Sequence, residues 1–429
     1  MTSQQQALAQ HMLSAAAQAR RGFLRTGPVL AAAALALPAA TVRAGAGTPD
    51  TWFAAWGAAP AGPPASASTL SFSNQTLRLV VHASAGGSRV RVRLTNEMGG
   101  TPLRIGAASI GLRASGASLV AGSERDLSFS GRPAATIPPG AALLSDPVDL
   151  AVATFADLAV SIYLPDNVQA TTTHDMAQQT SYVSSAGNYA AAPALPVQTA
   201  ISSWPFLAEV DVAGAGAALV ALGDSITDGA HSIGNVNHRW PDYLARRLQA
   251  ERPAGSAPVG VVNRGIAGNC LLTEYSTALI AGHSAAARFD RDVLATAGAR
   301  WLAILIGIND ICYSPSASPI PAADLVQGYQ QLIARARMRG LAVLGATMTP
   351  FCGHVYYLPA REAVRSQAND WIRNGGAFDA VADFDFALRD PSEPDRLAPA
   401  YDSGDHLHPN DAGYQAMANA VPLGLFSAF

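Results

Sequence analysis

Beyond Ala217 the sequence switches between two periodicities that no single kind of element can satisfy, and this alternation constrains the fold most. Apolar runs such as "AALVAL", "VGVVNRG", "RWLAILIGIND" and "LAVLGATMTP" show little of the polar alternation of a strand with one wet face. Between them lie amphipathic helical stretches: "RWPDYLARRLQAE", "AAARFDRDVLATAG", "AADLVQGYQQLIARARMRG" and "REAVRSQANDWIRNGG". Strands buried on both faces and separated by such helices build a parallel sheet with helices on either side. "DAVADFDFAL" (379–388) is expected as a final strand and "DAGYQAMANAV" (411–421) as a final helix.

From Thr51 to about Val212 the rhythm is different. "TLRLVVHAS", "SRVRVRLTN", "PLRIGAASIGL" and "DLAVSIYLP" read as short strands separated by Gly- and Pro-rich turns. Val90, Val92 and Leu94 alternate with arginines, as in a strand with one solvated face. Several such strands without helices between them predict a β-sandwich-like domain. The tryptophans of "TWFAAWGAAP" suit core packing or domain docking better than a sugar platform. Gly214 and Gly216 precede a strand instead of following one, so they are a linker and not a dinucleotide loop.

The N-terminus reads as a targeting segment. Arg20 and Arg21 precede an apolar run of about 14 residues, too short to span a bilayer but suited to a signal sequence. Paired arginines point to the twin-arginine route, with cleavage expected near Ala44 to Ala46 and a periplasmic or extracellular product. The expected organisation is therefore a signal peptide at 1–46, a β-rich domain at 47–213 and an α/β domain at 214–429.

Composition removes several functions. The 28 basic residues are all arginine, which excludes Walker-type phosphate loops, Schiff bases and pyridoxal-phosphate attachment. A net charge of −3 without basic blocks gives no nucleic-acid footprint. Hydrophobic residues make up 49% of the chain, but much of this is alanine, and no stable membrane insertion is expected after processing. Cys270, Cys312 and Cys352 have no metal-ligand spacing. Cys312 follows the third strand and Cys352 the fourth, which places both at the same sheet edge, and a Cys312–Cys352 disulfide is the expectation there, subject to Cα atoms within roughly 7 Å.

Four short blocks fall at strand ends or before the last helix: Gly223-Asp224-Ser225, "NRGIAGN" (263–269), "GIND" (307–310) and "DHLHPN" (405–410). In parallel sheets, ligands bind beyond the carboxyl ends of the strands. The residue types gathered there suit acyl transfer. Ser225 needs a base to become a nucleophile, and Asp405 lies one turn from His408, where it can orient the imidazole. His406 and Asp402 are the rival base and orienter. The backbone N–H groups of Ser225 and Gly268 and the Asn309 amide can serve as oxyanion donors. "AASIG" (107–111) mimics a nucleophile elbow but lies among alternating strands, so it reads as a strand.

These blocks, in this order, resemble the SGNH hydrolase (GDSL esterase/lipase) superfamily. The resemblance extends to a bacterial subgroup of xylan-associated acetylesterases with an N-terminal β domain, through "FSNQTLRL", "ARFDRDVL", "NDWIR" and "YDSGDHLHPNDAGY". It implies a three-layer, flavodoxin-like α/β hydrolase domain preceded by the β domain. It implies a Ser225, His408, Asp405 triad and an oxyanion hole of Ser225, Gly268 and Asn309, with no metal or organic cofactor. The expected substrate is a small acyl ester or an acetylated polysaccharide. The alternatives are a lipid-directed esterase or lysophospholipase and, from another class, a non-catalytic glycan-binding protein. Oligomeric state is not readable from the sequence.

Overall fold

Two large antiparallel sheets, one parallel sheet and two small two-stranded pairings, Ser71–Phe72 with Val168–Gln169 and Leu103–Ile105 with Ala135–Ile137, hold the strands of the computed structural model, which describes residues 50–64, 68–252, 256–275 and 279–427. The expected signal segment, Arg20 and Arg21 included, lies outside the described residues.

One antiparallel sheet is built on β1 (Trp52–Gly57), β3 (Gly87–Thr95) and β8 (Leu207–Ala213), in the order β1-β8-β3, with short strands at Ala142–Leu144 and Val148–Val152 along β3. The other runs β7-β6-β2-β5-β4. It is formed by β2 (Gln75–His82), β4 (Ala107–Ser115), β5 (Asp157–Leu164), β6 (Ser181–Ala186) and β7 (Val197–Ile201), with short strands at Ser118–Leu119 and Arg125–Asp126 along β4. Val90, Val92 and Leu94 of β3 share a core with Leu77, Leu79, Val160 and Ile162 from the facing sheet. The "AASIG" stretch lies within β4. Trp56 packs edge-on to Trp204 at 4.9 Å and is 8% exposed, so it belongs to this core.

The parallel sheet has the order β10-β9-β11-β12-β13: β9 (Ala217–Gly223), β10 (Val259–Gly265), β11 (Ala299–Leu305), β12 (Ala342–Ala346) and β13 (Ala380–Ala382). The side-chain period of two sends alternate residues to opposite faces. Leu219 and Ala221 enter one hydrophobic cluster with Trp240, Tyr414 and Met417, while Val220 and Leu222 enter another with Phe289, Tyr329 and Leu332. Helices therefore cover both faces. On one side are α2 (Trp240–Glu251), α7 (Phe384–Leu388) and α8 (Asp411–Ala420). On the other are α3 (Ala285–Phe289), continued by a π-helical turn over Asp290–Leu294, α4 (Ile308–Tyr313), α5 (Ala322–Met338) and α6 (Pro359–Asn374).

One expected element is corrected. Residues 379–388 do not form a single strand: β13 stops at Ala382 and α7 starts at Phe384. The Asp383 carboxylate accepts from the Phe386 N–H and caps that helix, so local capping overrides the alternating "ADFDF" pattern.

β10 is an edge strand, and exposed edges invite aggregation unless covered. Here the β-rich part of the chain covers it. The Ser84 hydroxyl accepts from the Val261 N–H at 2.8 Å and donates to the Ala55 carbonyl of β1 at 2.6 Å. A Cβ at Gly260 would stand 2.1 Å from the Ala54 carbonyl oxygen, so only glycine permits this approach. Arg264, the one charged residue of "VGVVNRG", is buried against Glu209 of β8 and donates to the Ala58 and Ala208 carbonyls. Removing one partner of such a buried pair costs about 3–5 kcal/mol. Residues 50–429 accordingly form one compact unit.

Candidate active site

β9 ends at Gly223, where a Cβ would lie 2.1 Å from Thr227 Oγ1 and 2.7 Å from the Leu305 carbonyl. The tight turn that follows is fixed by Asp224, whose carboxylate accepts from the Ile226 N–H at 3.0 Å and caps α1 (Ser225–Asp228). Burial pushes the Asp224 carboxyl up to about 7. Ser225 is thereby held at the first helical position, beyond the carboxyl end of a buried strand.

The Ser225 Oγ lies 2.8 Å from His408 Nε2, and His408 Nδ1 lies 2.5 Å from Asp405 Oδ2. Because Nδ1 faces a carboxylate it carries the proton, which leaves Nε2 to accept from the serine hydroxyl. The other Asp405 oxygen accepts from the backbone N–H groups of Leu407 (2.9 Å) and His408 (2.8 Å). Burial disfavours the Asp405 charge, but these bonds from His408 and Leu407 outweigh it and hold the carboxyl well below the usual range. His406 is paired separately: its Nδ1 lies 2.6 Å from Asp402 Oδ2. The two Asp–His pairs are interleaved in one loop, and the 405/408 pair is the one that reaches Ser225.

Gly268 has a φ of +76°, and among the described residues its N–H meets no hydrogen-bond acceptor. The surrounding loop is pinned from two sides. From α4, Asn309 Nδ2 donates to the Asn269 carbonyl at 2.9 Å, and Asp310 accepts from the Leu271 (2.6 Å) and Leu272 (2.9 Å) N–H groups. Burial raises the Asp310 carboxyl to about 6 despite those two donors. From α1, Asp228 Oδ2 accepts from the Ala267 N–H at 3.1 Å. One Asn309 amide proton is thus spent on the loop, and the second remains for a ligand.

Three contributors escape sequence reasoning. Arg288 is fully buried and donates to the carbonyls of Gly223 (2.9 Å) and Arg264 (2.8 Å) and to Asn269 Oδ1 (3.1 Å), tying two strand ends to the loop. The "ARFDRDVL" block contained it without revealing this role. His174, in the β-rich region, lies 2.8 Å from Asp228. His231 Nε2 approaches Asp405 Oδ2 to 3.3 Å, and its ring centroid lies 5.4 Å from that of His408. His231, Asp405 and His408 also form the one group among the described residues whose ligand atoms lie within 4.8 Å of one another, as a metal would require. Two of the three are already engaged with each other.

Cys312 and Cys352 are not bridged; all three cysteines are free thiols. Cys312 is a residue of α4 and is buried in the core, whereas the Cys352 backbone and sulfur face Asp395 and Arg396. Their surroundings differ, and the expectation of a shared sheet edge does not bring the sulfurs together.

A hydroxyl, an imidazole and a carboxylate in one hydrogen-bonded chain, at the carboxyl edge of a parallel sheet, define a hydrolase-type site. Residues 221–416 match the model of the GDSL-like Lipase/Acylhydrolase family, and this part of the chain is an SGNH-superfamily domain, a carboxylic ester hydrolase. Among solved structures, an acetyl xylan esterase from Geobacillus stearothermophilus is 23% identical, with a TM-score of 0.36, over 48% of this chain and 93% of that one. A GDSL-like lipase from Bacteroides thetaiotaomicron is 17% identical, with a TM-score of 0.35, over 49% and 89%. An α/β hydrolase from the Lake Arreo metagenome is 23% identical, with a TM-score of 0.37, over 49% and 95%. Among curated proteins none matches.

Proposed function

We propose that the chain is an exported serine esterase that removes short acyl groups, foremost acetyl, from carbohydrate alcohols. The observation that carries this reading is the continuous chain Ser225 Oγ, His408, Asp405. Ser225 attacks the ester carbonyl while His408 Nε2 takes its proton. Asp405, held ionised by its backbone donors, fixes the ring and stabilises the imidazolium. The Ser225 and Gly268 N–H groups and the free Asn309 amide proton stabilise the oxyanion. His408 returns the proton to the departing alcohol, and water then repeats the sequence on the acyl-enzyme.

The scaffold reads as flavodoxin-like, since β10-β9-β11-β12-β13 is a 2-1-3-4-5 order with Ser225 at the reversal beside the first strand. Residues 47–213 are taken as a β-sandwich-like domain and 214–429 as the hydrolase domain. Residues 1–46 are taken as a twin-arginine signal, on the strength of Arg20, Arg21 and the apolar run. Among the described residues no helix intervenes between β10 and Ser284, where a lipase lid would fit, which favours a short acyl group. The test is Ser225→Ala, which should lower p-nitrophenyl acetate hydrolysis by on the order of a millionfold. Activity above a tenth of wild type in a folded variant would reject the reading.

A further inference from the structure

Next to the oxyanion loop, three tyrosines remain partly in water. Tyr313 ends α4, one turn beyond Asn309, and its hydroxyl lies 3.6 Å from where a Cβ on Gly268 would stand. Its ring packs on Tyr275 (centroids 4.7 Å apart) and edge-on to Tyr356 (5.7 Å). Tyr356 in turn lies 5.4 Å from the ring of His354, whose neighbour Gly353 packs against His406. Tyr275 is 49% exposed, Tyr313 37% and Tyr356 41%. The wall thus runs from Gly268 toward the Asp405–His408 loop.

The arrangement is built and not accidental. Arg361, buried, donates to the carbonyls of Tyr356 (2.9 Å) and Ser314 (2.5 Å), locking together the two segments that carry Tyr356 and Tyr313. Among the described residues none of the three hydroxyls has a hydrogen-bond partner inside the protein, although tyrosine hydroxyls that leave water usually find one. The wall therefore offers flat apolar faces edged by free donors and acceptors. An acyl chain would use the faces and waste the hydroxyls.

We infer that Tyr275, Tyr313 and Tyr356 form the subsite for the alcohol part of the substrate, and that this alcohol is a pyranose. A sugar ring has apolar C–H faces and polar hydroxyl edges, which is the complement of the wall. The position also fits, because the wall extends toward His408, the group that protonates the leaving oxygen. This inference rests on the esterase reading above and specifies its substrate.

The test compares kcat/KM on an acetylated xylo-oligosaccharide with kcat/KM on ethyl acetate, whose alcohol is too small to stack. In the double variant Tyr275→Ala/Tyr356→Ala the ratio should fall about tenfold or more, mainly through KM on the sugar ester. Tyr275→Phe/Tyr356→Phe, which keeps the stacking faces but not the hydroxyls, should recover only part of the loss. An unchanged ratio, including one in which both activities fall together, overturns the subsite, as does a wild-type enzyme that ignores the sugar ester. Loss of all activity in Ser225→Ala alongside an unchanged ratio would reject the subsite alone. Full activity in Ser225→Ala would instead reject the esterase mechanism beneath it.

Discussion

His174 Nε2 lies 2.8 Å from Asp228 Oδ1, and the same aspartate holds the Ala267 N–H through its other oxygen. Both side chains are 4% exposed. The β-rich region therefore reaches, through one buried ion pair, the loop that presents Gly268. His174→Ala should lower kcat by about tenfold to 100-fold with little change in KM, since small displacements of catalytic groups are that costly. His174→Gln, which retains a donor, should recover part of kcat. Equal losses in kcat for both variants, or an effect confined to KM, would limit His174 to a structural role.

The same pair makes stability depend on pH. Both His174 ring nitrogens face acceptors, Nδ1 the Ala59 carbonyl at 3.0 Å and Nε2 the Asp228 carboxylate, so the doubly protonated ring fits best. Burial opposes that charge, as does Arg239, but Asp228 and the Ala59 carbonyl outweigh them and raise the histidine above its ordinary value. A group whose pKa is raised on folding stabilises fully below its unfolded value, about 6.5, and loses that contribution as pH rises through the folded value. The difference in melting temperature between wild type and His174→Gln should therefore shrink from pH 6 into the alkaline range. A constant difference would contradict a charged His174.

Asn309→Ala should cost about 10²–10³ in kcat with a smaller effect on KM, the signature of a transition-state donor. Asp310→Asn should mimic it more weakly. An amide cannot accept from both the Leu271 and Leu272 N–H groups without turning its own donors on them. Steady-state kinetics on both variants check this, and a pure KM effect in Asn309→Ala would move Asn309 out of the oxyanion hole.

The free cysteines give a chemical readout. Burial pushes the Cys270 and Cys312 thiols up to about 12, leaving almost no thiolate at pH 8, while Cys352 is more accessible. Without reductant, maleimide should label Cys352 first in the folded protein and all three cysteines after unfolding. A single reactive thiol after unfolding would reinstate a Cys312–Cys352 disulfide.

What was legible in the sequence follows from how local each signal is. The blocks at 223–225, 307–310 and 405–408 lie within single turns, and Asp405 meets His408 across three residues. Capping at Asp383 is equally local but was hidden by an alternating apolar pattern that imitates a strand. Arg264–Glu209, between two sheets, and His174–Asp228, between a loop and α1, join residues 55 and 54 positions apart. No periodicity encodes such a pairing. A charged residue in an apolar strand, as Arg264 is, signals only that some partner must exist.

The central claim is that Ser225 is activated by His408 and that both act as one unit with Asp405. Peptide mapping after treatment with a fluorophosphonate tests it most directly, because the reagent forms a stable adduct only with a serine whose proton a base removes. Wild type should carry one adduct, on Ser225, and His408→Ala should carry almost none although its serine is intact. An adduct on another serine, or undiminished labelling of Ser225 in His408→Ala, would contradict the account.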